Sequence, residues 1–279
     1  MTELIRTHIA RYPAAQEIDV IKLVFQSMLG CGHLLPAYDN ALDRLTEEMD
    51  SCTADVSEPL YERIGNDYCR LNLRRCKAQG IPAKWIARMM LMSDEPTYGR
   101  VDVVKACREI DFDALGLSQT ASDDWILRLE DEAFLPSHSE AFRAAYAPAY
   151  RVISSRLLFA LPALCDLARL QGQRRLIAMD GCCASGKTTL ASMLHEITGA
   201  AVIHMDDFFI PHAQKTPERL AIPGGNADIT RFRSEVILPY CSRQMIRFRP
   251  YSCCNHHPVR PVCDCGGLLL SASHAGRYL

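Results

Sequence analysis

Two short stretches of sequence decide the fold. Residues 175–190 read RLIAMDGCCASGKTTL, and residues 201–211 read AVIHMDDFFIP. Arg175 to Met179 and Ala201 to Met205 are short apolar runs typical of strands, and the apolar spacing over Lys187 to Ile197 predicts a helix between them. A strand, a crossover helix and a second strand imply a parallel α/β sheet.

The segment between the first strand and the helix matches a phosphate-binding pattern. Gly181 to Thr188 have the spacing G-x-x-x-x-G-K-[ST]. Glycine tolerates backbone angles that other residues resist, so successive N–H groups can face a phosphate. Lys187 supplies a positive charge at the β- and γ-phosphates, and the Thr188 hydroxyl is a ligand for Mg²⁺. The nucleotide site then comprises Gly181, Cys182, Cys183, Ala184, Ser185, Gly186, Lys187, Thr188 and Thr189. The structural alternative is a glycine turn beside an unrelated lysine, and the two cysteines are either tolerated small residues or redox-sensitive thiols.

Carboxylates follow the second strand directly. Asp206 and Asp207 come at the carboxyl end of a parallel strand, which is the edge of an open α/β sheet where ligands bind. A carboxylate there can accept the proton of a hydroxyl that attacks the γ-phosphate, and Phe209 can pack on a flat or sugar-like substrate. The pair therefore favours a kinase over other phosphate-loop proteins.

Four stretches together resemble a known family. IAMDGCCASGKTTLA, VIHMDDFFIP, PGGNADITRF and RFRPYSC occur in this order, and they are similar to the uridine kinase and phosphoribulokinase group of P-loop kinases. The resemblance covers residues 174 to about 262. It implies that Asp206 is the catalytic base and that Asp207 lies near Mg²⁺ or the substrate. It also implies that Asp228, Arg249 and Tyr251 lie on the acceptor side. For Asp228 a helix N-cap before Ile229 is the alternative, and Arg249 and Tyr251 have the alternative of ordinary strand and surface residues.

The resemblance fails towards the C-terminus. Family members continue into a strand that ends in an acidic residue and into an arginine-bearing lid, whereas no Asp or Glu follows Asp264 here. A strand starting at Gly267 is expected without its acid. We therefore expect a truncated or frameshifted product, or a fragment, whose sheet is incomplete. This tail is either a cysteine-rich loop or a zinc site, since cysteine and histidine are the ligands that zinc prefers. The six candidate ligands are Cys253, Cys254, His256, His257, Cys263 and Cys265.

The preceding residues, 1–172, read as a mostly helical accessory domain, with residues 173–279 as the kinase domain. Apolar residues from Ile18 to Met28 recur at helical spacing and end at Gly30. Further helices are expected near 38–49, 82–93, 101–110, 139–147 and 154–170, the last bent at Pro162. This region looks similar to leaders found ahead of some bacterial uridine kinase-like domains.

Two polar clusters in the helical region have a functional and a structural interpretation. Gly30 to His33 form a turn whose histidine is either a ligand or a turn residue. The second cluster comprises His138, Ser139, Arg143, Tyr146, Tyr150 and Arg151. It is either a site for an anionic or aromatic ligand or a hydrogen-bond network between helices or a domain-docking surface.

Composition and charge argue against several classes of protein. The 279 residues are 48% hydrophobic and 23% charged with a net charge of −2, as in ordinary globular proteins. The longest apolar run is too short for a membrane span, and no signal-peptide core begins the chain. Thirteen scattered cysteines favour reduced thiols in a cytoplasm. The net charge is −6 over residues 1–172 and +4 over 173–279, without the interleaved basic and aromatic runs of nucleic-acid binders.

The sequence thus predicts a cytoplasmic, ATP- and Mg²⁺-dependent kinase that phosphorylates a hydroxyl of a uridine- or cytidine-like nucleoside. The expected partner is this small molecule, and neither nucleic acid nor a membrane is expected. The sequence leaves open whether the protein forms a homo-oligomer. One rival is a catalytically inactive nucleotide-binding or regulatory remnant of such a kinase. Another is a helical interaction protein attached to a decaying kinase portion.

Overall fold

The structure is a computed structural model, and it describes residues 1–30, 38–93, 96–172, 175–182, 184–251, 260–262 and 267–271. The chain has a mixed α/β fold and divides into two compact units, Met1–Ala168 and Arg169–Leu279. None of the helices in the described ranges has the length and apolar character that a bilayer crossing needs.

Helices make up most of the first unit. They are α1 (Thr2–Arg11), α2 (Glu17–Leu29), α3 (Tyr38–Ser51), α4 (Leu73–Gln79), α5 (Ala83–Leu91), α6 (Arg100–Arg108), α7 (Gln119–Arg128), α8 (Glu140–Tyr146) and α9 (Leu161–Arg169). The helices predicted near 38–49, 82–93, 101–110 and 139–147 are confirmed as α3, α5, α6 and α8.

Helix α2 lies in the core of this unit. Its apolar stripe from Ile18 to Met28 is buried, as the spacing predicts. The helix starts where the Gln16 amide donates to Asp19 Oδ2 at 2.9 Å. It ends at Gly30, which has φ +63°, and a Cβ there would lie 2.4 Å from the Tyr68 ring. Glycine is therefore required by both the backbone angle and the close approach of the ring.

A three-stranded antiparallel sheet, which the sequence did not predict, completes the first unit. Its order is β1 (Tyr61–Arg63), β2 (Tyr68–Asn72) and β3 (Tyr150–Ser154), and Leu71 pairs with both Tyr61 and Arg151. The central strand β2 is almost wholly buried, so its residues lack the alternation of apolar and polar side chains by which a half-buried strand is recognised.

The predicted helix from 154 to 170 is wrong in its first part. Ser154 ends β3, and Ser155–Ala160 form a 3₁₀ helix before α9 begins at Leu161. Pro162 lies in the first turn of α9, where its missing N–H would have no intrahelical partner, so it starts the helix and does not bend it.

The second unit contains a three-stranded parallel sheet. Strand β4 (Arg175–Met179) leads to α10 (Lys187–Thr198) and β5 (Ala201–His204), close to the predicted bounds, and β8 (Gly267–Ser271) lies between the two strands. Met179 at the end of β4 and His204 at the end of β5 both pair with Ser271. The carboxyl ends of β4 and β5 are therefore level.

The remainder of the second unit packs beside β5. It comprises a 3₁₀ turn (Met205–Phe208), a second 3₁₀ turn (His212–Gln214), α11 (Pro217–Leu220), α12 (Ile229–Phe232), a π-helical turn (Arg233–Ile237), α13 (Leu238–Cys241), β6 (Ile246–Phe248) and β7 (Arg260–Val262). Strands β6 and β7 pair antiparallel. Its core joins Ile203, Phe208, Phe232, Val236 and Phe248. Phe208 contacts both Phe232 and Phe248, with ring centroids 5.1 and 5.0 Å away.

Candidate functional site

The loop between β4 and α10 contains two residues in the left-handed region. Gly186 is left-handed, with φ 85° and ψ 8°, at the residue that precedes the first turn of α10. Ala184 is also left-handed, with φ 59°, which is strained for a residue with a Cβ. Cys182 is exposed as a free thiol, whereas Cys183 lies outside the described residues.

Lys187 folds back over this loop. Its Nζ donates to the carbonyl oxygens of Gly181 at 2.7 Å and Cys182 at 2.6 Å, and it lies 3.4 Å from Ser185 Oγ. Neutral carbonyls are weaker partners for an ammonium than a phosphate oxygen is. The lysine is thus held beside the loop by contacts that an anion can replace. Thr188 and Thr189 follow it in the first turn of α10, where both residues are exposed.

Asp206 lies at the same sheet edge as the loop. Gly181 is the second residue after Met179, and Asp206 is the second residue after His204, and both of those strand residues pair with Ser271. With β8 between them, β4 and β5 are about 10 Å apart. Asp206 is exposed in the 3₁₀ turn that follows β5. The structure therefore brings the loop and this carboxylate to one edge, as the sequence predicts.

Arg231 hydrogen-bonds to two segments that are distant in sequence, one at Asp207 and one at Arg249. Its guanidinium donates to the carbonyl of Asp207 at 2.6 Å and to that of Arg249 at 3.0 Å. The amide of Tyr251 donates to the same Asp207 carbonyl at 2.7 Å. The predicted acceptor-side residues Asp207, Arg249 and Tyr251 thus share one hydrogen-bonded region. Sequence reasoning missed Arg231, although it lies in the PGGNADITRF stretch.

Two aromatic rings and a lysine meet beside this region. Phe209 and Tyr251 lie edge to face with centroids 6.0 Å apart. The ammonium of Lys215 is 5.4 Å from the first centroid and 5.6 Å from the second. Sequence reasoning missed Lys215 because it is a single basic residue in a polar turn. The group can hold a flat ring and attract negative charge.

Asp228 is a helix cap. Its Oδ1 accepts from the amide of Arg231 at 2.9 Å, and its own amide donates to the carbonyl of Phe208 at 2.7 Å. Asp228 Oδ1 therefore acts as the helix N-cap that the sequence offered as the alternative to an acceptor-side role. Through Phe208 and Arg231 the cap also positions the turn that carries Asp206 and Asp207.

In the first unit, the cluster around His138 forms a buried hydrogen-bond network. His138 Nδ1 lies 2.7 Å from Asp19 Oδ1, and its Nε2 lies 2.6 Å from Tyr150 Oη. Ser139 donates to Asp19 through both its hydroxyl and its amide. Sequence reasoning identified His138, Ser139 and Tyr150 but missed Asp19, a single acid inside the apolar stripe of α2.

The network continues to Arg70. Gln26 Oε1 lies 3.2 Å from Tyr150 Oη and accepts from Arg70 Nε at 3.0 Å and from its terminal nitrogen at 2.8 Å. Arg70 is buried, stacks over the Tyr150 ring at 4.7 Å and pairs with Glu62 at 3.8 Å. The network alternative is therefore confirmed for His138, Ser139 and Tyr150.

Burial and hydrogen bonding set the charges in this network. Burial alone would raise the pKa of Asp19, but hydrogen bonds from His138, Ser139 and Gln16 outweigh it, so the pKa is lowered. Burial lowers the pKa of His138, against the opposing hydrogen bond to Asp19. Near neutral pH the network therefore holds a carboxylate beside a neutral imidazole.

Two predicted metal-binding or ligand-binding groups fall outside the described residues. These are Cys31 to His33 in the first unit and the cysteines and histidines from Cys253 to Cys265 in the second. Within the described ranges, no group of three or more His, Cys, Asp and Glu side chains is placed to hold a metal ion. Comparison with known proteins found no matching family model, no matching curated protein and no matching solved structure.

Proposed function

We propose that the second unit is an ATP- and Mg²⁺-dependent small-molecule kinase of the P-loop type, which transfers the γ-phosphate to a hydroxyl of a nucleoside. The proposal rests on one observation: Met179, the last residue of β4, and His204, the last residue of β5, both pair with Ser271 of β8. This register puts the Gly181 to Thr188 loop and Asp206 level at one edge of a parallel sheet, where phosphate donor and acceptor must meet.

The loop residues would bind the triphosphate. The backbone of Gly181 to Thr189 surrounds the phosphates, and Lys187 exchanges its carbonyl partners for phosphate oxygens. The Thr188 hydroxyl would hold Mg²⁺, which neutralises charge on the β- and γ-phosphates when it is bound. The exposed position of Thr188 in the first turn of α10 fits this role.

Asp206 would act as the general base. Its carboxylate takes the proton of the acceptor hydroxyl as that oxygen forms a bond to the γ-phosphorus. The bond between the γ-phosphorus and the β,γ-bridging oxygen breaks, and ADP leaves with the electron pair. The products are a phosphate monoester and ADP, so atoms and charge balance without a further reactant.

The acceptor would lie on the Phe209, Tyr251 and Lys215 group. The two rings lie edge to face beside the ammonium of Lys215, and the family resemblance assigns Asp207, Asp228 and Arg249 to the acceptor as well. A uridine- or cytidine-like nucleoside fits such a mixed aromatic and polar surface. Cytoplasmic ATP is the donor that this proposal requires.

A second candidate is a nucleotide-binding or regulatory protein without turnover. It is favoured by one observation: β5 is followed by two carboxylates, whereas the residues after β8, 272–279, contain none. Such a protein would bind Mg-ATP through the loop and release it unchanged.

The decisive experiment measures Mg-ATP-dependent product formation over a panel of nucleosides and small polyols. Lys187→Ala and Asp206→Ala are run beside Lys105→Ala and Asp124→Ala, which change exposed residues of the first unit. Loss of a phosphorylated nucleoside in the first pair alone supports the kinase. A folded protein that binds Mg-ATP and forms no product with any acceptor favours the second candidate.

A further inference from the structure

A cleft of about 800 Å³ opens in the first unit. Its walls are the C-terminal end of α3 with residues 51–55, the turn 147–149, and a group of basic side chains from α2, α4 and α8. This volume is typical of sites for small metabolites. The cleft belongs to the helical unit, so its chemistry is independent of the phosphate loop.

Lys22 is the unusual residue of this cleft. It lies on α2 one turn after Asp19, and its Nζ donates to the carbonyl of Pro136 at 3.0 Å. Among the described residues, no carboxylate is within ion-pair distance of this ammonium. Burial, followed by the charges of Arg70 and Arg143, lowers the pKa of Lys22 to about 8. A half-buried ammonium thus has a carbonyl partner but no ion pair among the described residues.

The charge of Asp19 raises the pKa of Lys22 against the larger effect of burial, but the oxygens of this carboxylate are bonded to other groups. Asp19 Oδ1 accepts from His138 and from the amide of Ser139, and its Oδ2 accepts from the Ser139 hydroxyl and the amide of Gln16. All of the good acceptor positions on this carboxylate are therefore in use.

The other charged groups of the cleft are also committed. Glu48 pairs with Arg151, and Asp55 accepts from the amide and hydroxyl of Ser57. Arg74 donates to the carbonyl of Ala147 and pairs with Glu58. Among the described residues, the lining cations without an ion pair are Lys22 and Arg143, and the lining carboxylate without one is Asp55.

Arg143 supplies the second positive charge. It is exposed on α8, lines the same cleft and acts electrostatically on Lys22. The described part of the chain gives it no ion pair. Two cations that face one cleft repel each other, and an anion bound between them removes this repulsion. His138 forms the adjoining wall, where Asp19 and Tyr150 fix its ring.

We propose that this cleft binds the phosphate group of a small metabolite, with Lys22 and Arg143 as its charged donors. The ammonium and guanidinium together offer several N–H groups to a dianion. The cleft is much larger than a phosphate ion, and Ser51, Thr53 and Ser137 are among the residues that line it. This lining suits the hydroxyl-bearing part of a phosphate monoester. The site is separate from the proposed kinase site.

Calorimetric titration of the full chain tests the proposal. The probes are inorganic phosphate, ribose 5-phosphate and ribose, at constant ionic strength with chloride. All titrations use the Lys187→Ala background, so that the phosphate loop does not contribute its lysine. Both phosphates are expected to bind, the ester more tightly, and ribose is expected not to bind. Binding by neither phosphate would overturn the proposal, and tighter binding of free phosphate would assign the site to the inorganic ion.

Variants then locate the site. Lys22→Met and Arg143→Gln are each expected to weaken binding about tenfold or more. Lys105→Met and Arg6→Gln change exposed residues of α6 and α1 and are expected to leave the affinity unchanged. Equal losses in all four variants, or unchanged affinity in Lys22→Met and Arg143→Gln, would refute the assignment.

A stability measurement separates lost binding from lost folding. Because Lys22→Met removes a half-buried charge that makes no ion pair among the described residues and keeps an apolar side chain, its Tm without phosphate is expected to rise. Phosphate should raise the Tm of the Lys187→Ala background but not that of the added Lys22→Met variant. Should Lys22→Met fail to fold, the exposed Arg143→Gln decides the proposal on its own.

Discussion

His138 Nδ1 lies 2.7 Å from Asp19 Oδ1, although the two residues are 119 positions apart in the chain. Because an ionised carboxylate only accepts, this ring nitrogen carries the proton. A neutral His138 then accepts at Nε2 from Tyr150, whose Oη is 2.6 Å away. The contact therefore sets the proton positions on His138 and Tyr150, and through them it joins α2, β3 and the residues before α8.

Asp19→Ala is expected to destabilise the protein by about 3–5 kcal/mol, because it leaves His138, Ser139 and the Gln16 amide without their buried acceptor. Asp124→Ala, an exposed change on α7, should stay within about 0.5 kcal/mol. Urea unfolding at pH 7 measures both variants. Equal stabilities for the two would show that the network contributes little.

Stability should fall as the pH drops below about 6.5, because of buried histidines. Burial, with Arg70 second, lowers the pKa of His8 to about 3, and burial also lowers that of His138. Between pH 6.5 and 3 the unfolded chain therefore binds a proton at His8 that the folded chain does not, and the free energy of unfolding decreases. The slope is up to about 1.4 kcal/mol per pH unit for each such histidine. The lowered pKa of Asp19 acts only at lower pH, where its contribution is lost through protonation.

His8→Phe isolates one part of this pH effect. His8 stacks near Tyr12 and Phe142, and its buried Nε2 has no hydrogen-bond partner among the described residues. Phenylalanine keeps the ring and removes the titrating group. The variant should lose less stability between pH 7 and pH 5 than the parent, as measured by urea unfolding. An unchanged slope would place the effect on other groups.

Gly186→Ala is expected to weaken Mg-ATP binding, and the matched change Gly199→Ala is not. The two glycines cap opposite ends of α10 with nearly the same left-handed angles, φ 85° and 77°, and the same ψ of 8°. Each substitution should therefore cost about 1 kcal/mol of stability. Only Gly186 belongs to the proposed phosphate loop. Fluorescence titration with an ATP analogue measures the difference, and equal affinities in the two variants would count against the loop as the nucleotide site.

Gly225→Ala should disturb the acceptor side. A Cβ at Gly225 would lie 1.8 Å from the carbonyl oxygen of Arg219, whereas one at Gly224 would meet nothing within 4 Å. The clash should cost about 3 kcal/mol and move the segment that leads to Asp228. Gly224→Ala, strained only by its φ of +72°, should cost about 1 kcal/mol. Thermal unfolding of both variants measures which is the less stable. If Gly224→Ala has the lower Tm, the segment around Gly225 moves aside without the expected cost.

Local signals in the sequence predicted part of this structure well. The bounds of β4, α10 and β5 follow from short apolar runs on either side of a glycine-rich loop, because the pattern needs no distant partner. The antiparallel sheet of the first unit was missed because β3 pairs with β2 from far along the chain. No short window of sequence records such pairing.

The candidate sites divide in the same way. Gly181 to Thr189 and Asp206 could be proposed as site residues because motif spacing and strand ends give their positions. Arg231 and Lys215 were missed, since their importance comes from contacts made after folding. Lys22 carries no motif at all. Its half-buried position in a cleft, without an ion pair among the described residues, is a feature that only the packed structure shows.

The position of β8 between β4 and β5 makes the order of synthesis matter. Both outer strands leave the ribosome long before residues 267–271, yet they have no hydrogen-bonded contact with each other except through that strand. Until it is inserted, two strand edges stay open to other chains, a known source of aggregation. Nascent chains halted before residue 267 should therefore bind no ATP analogue. The spacing between the proposed phosphate loop and Asp206 comes into existence only when a segment made after both outer strands takes its place at the centre of the sheet.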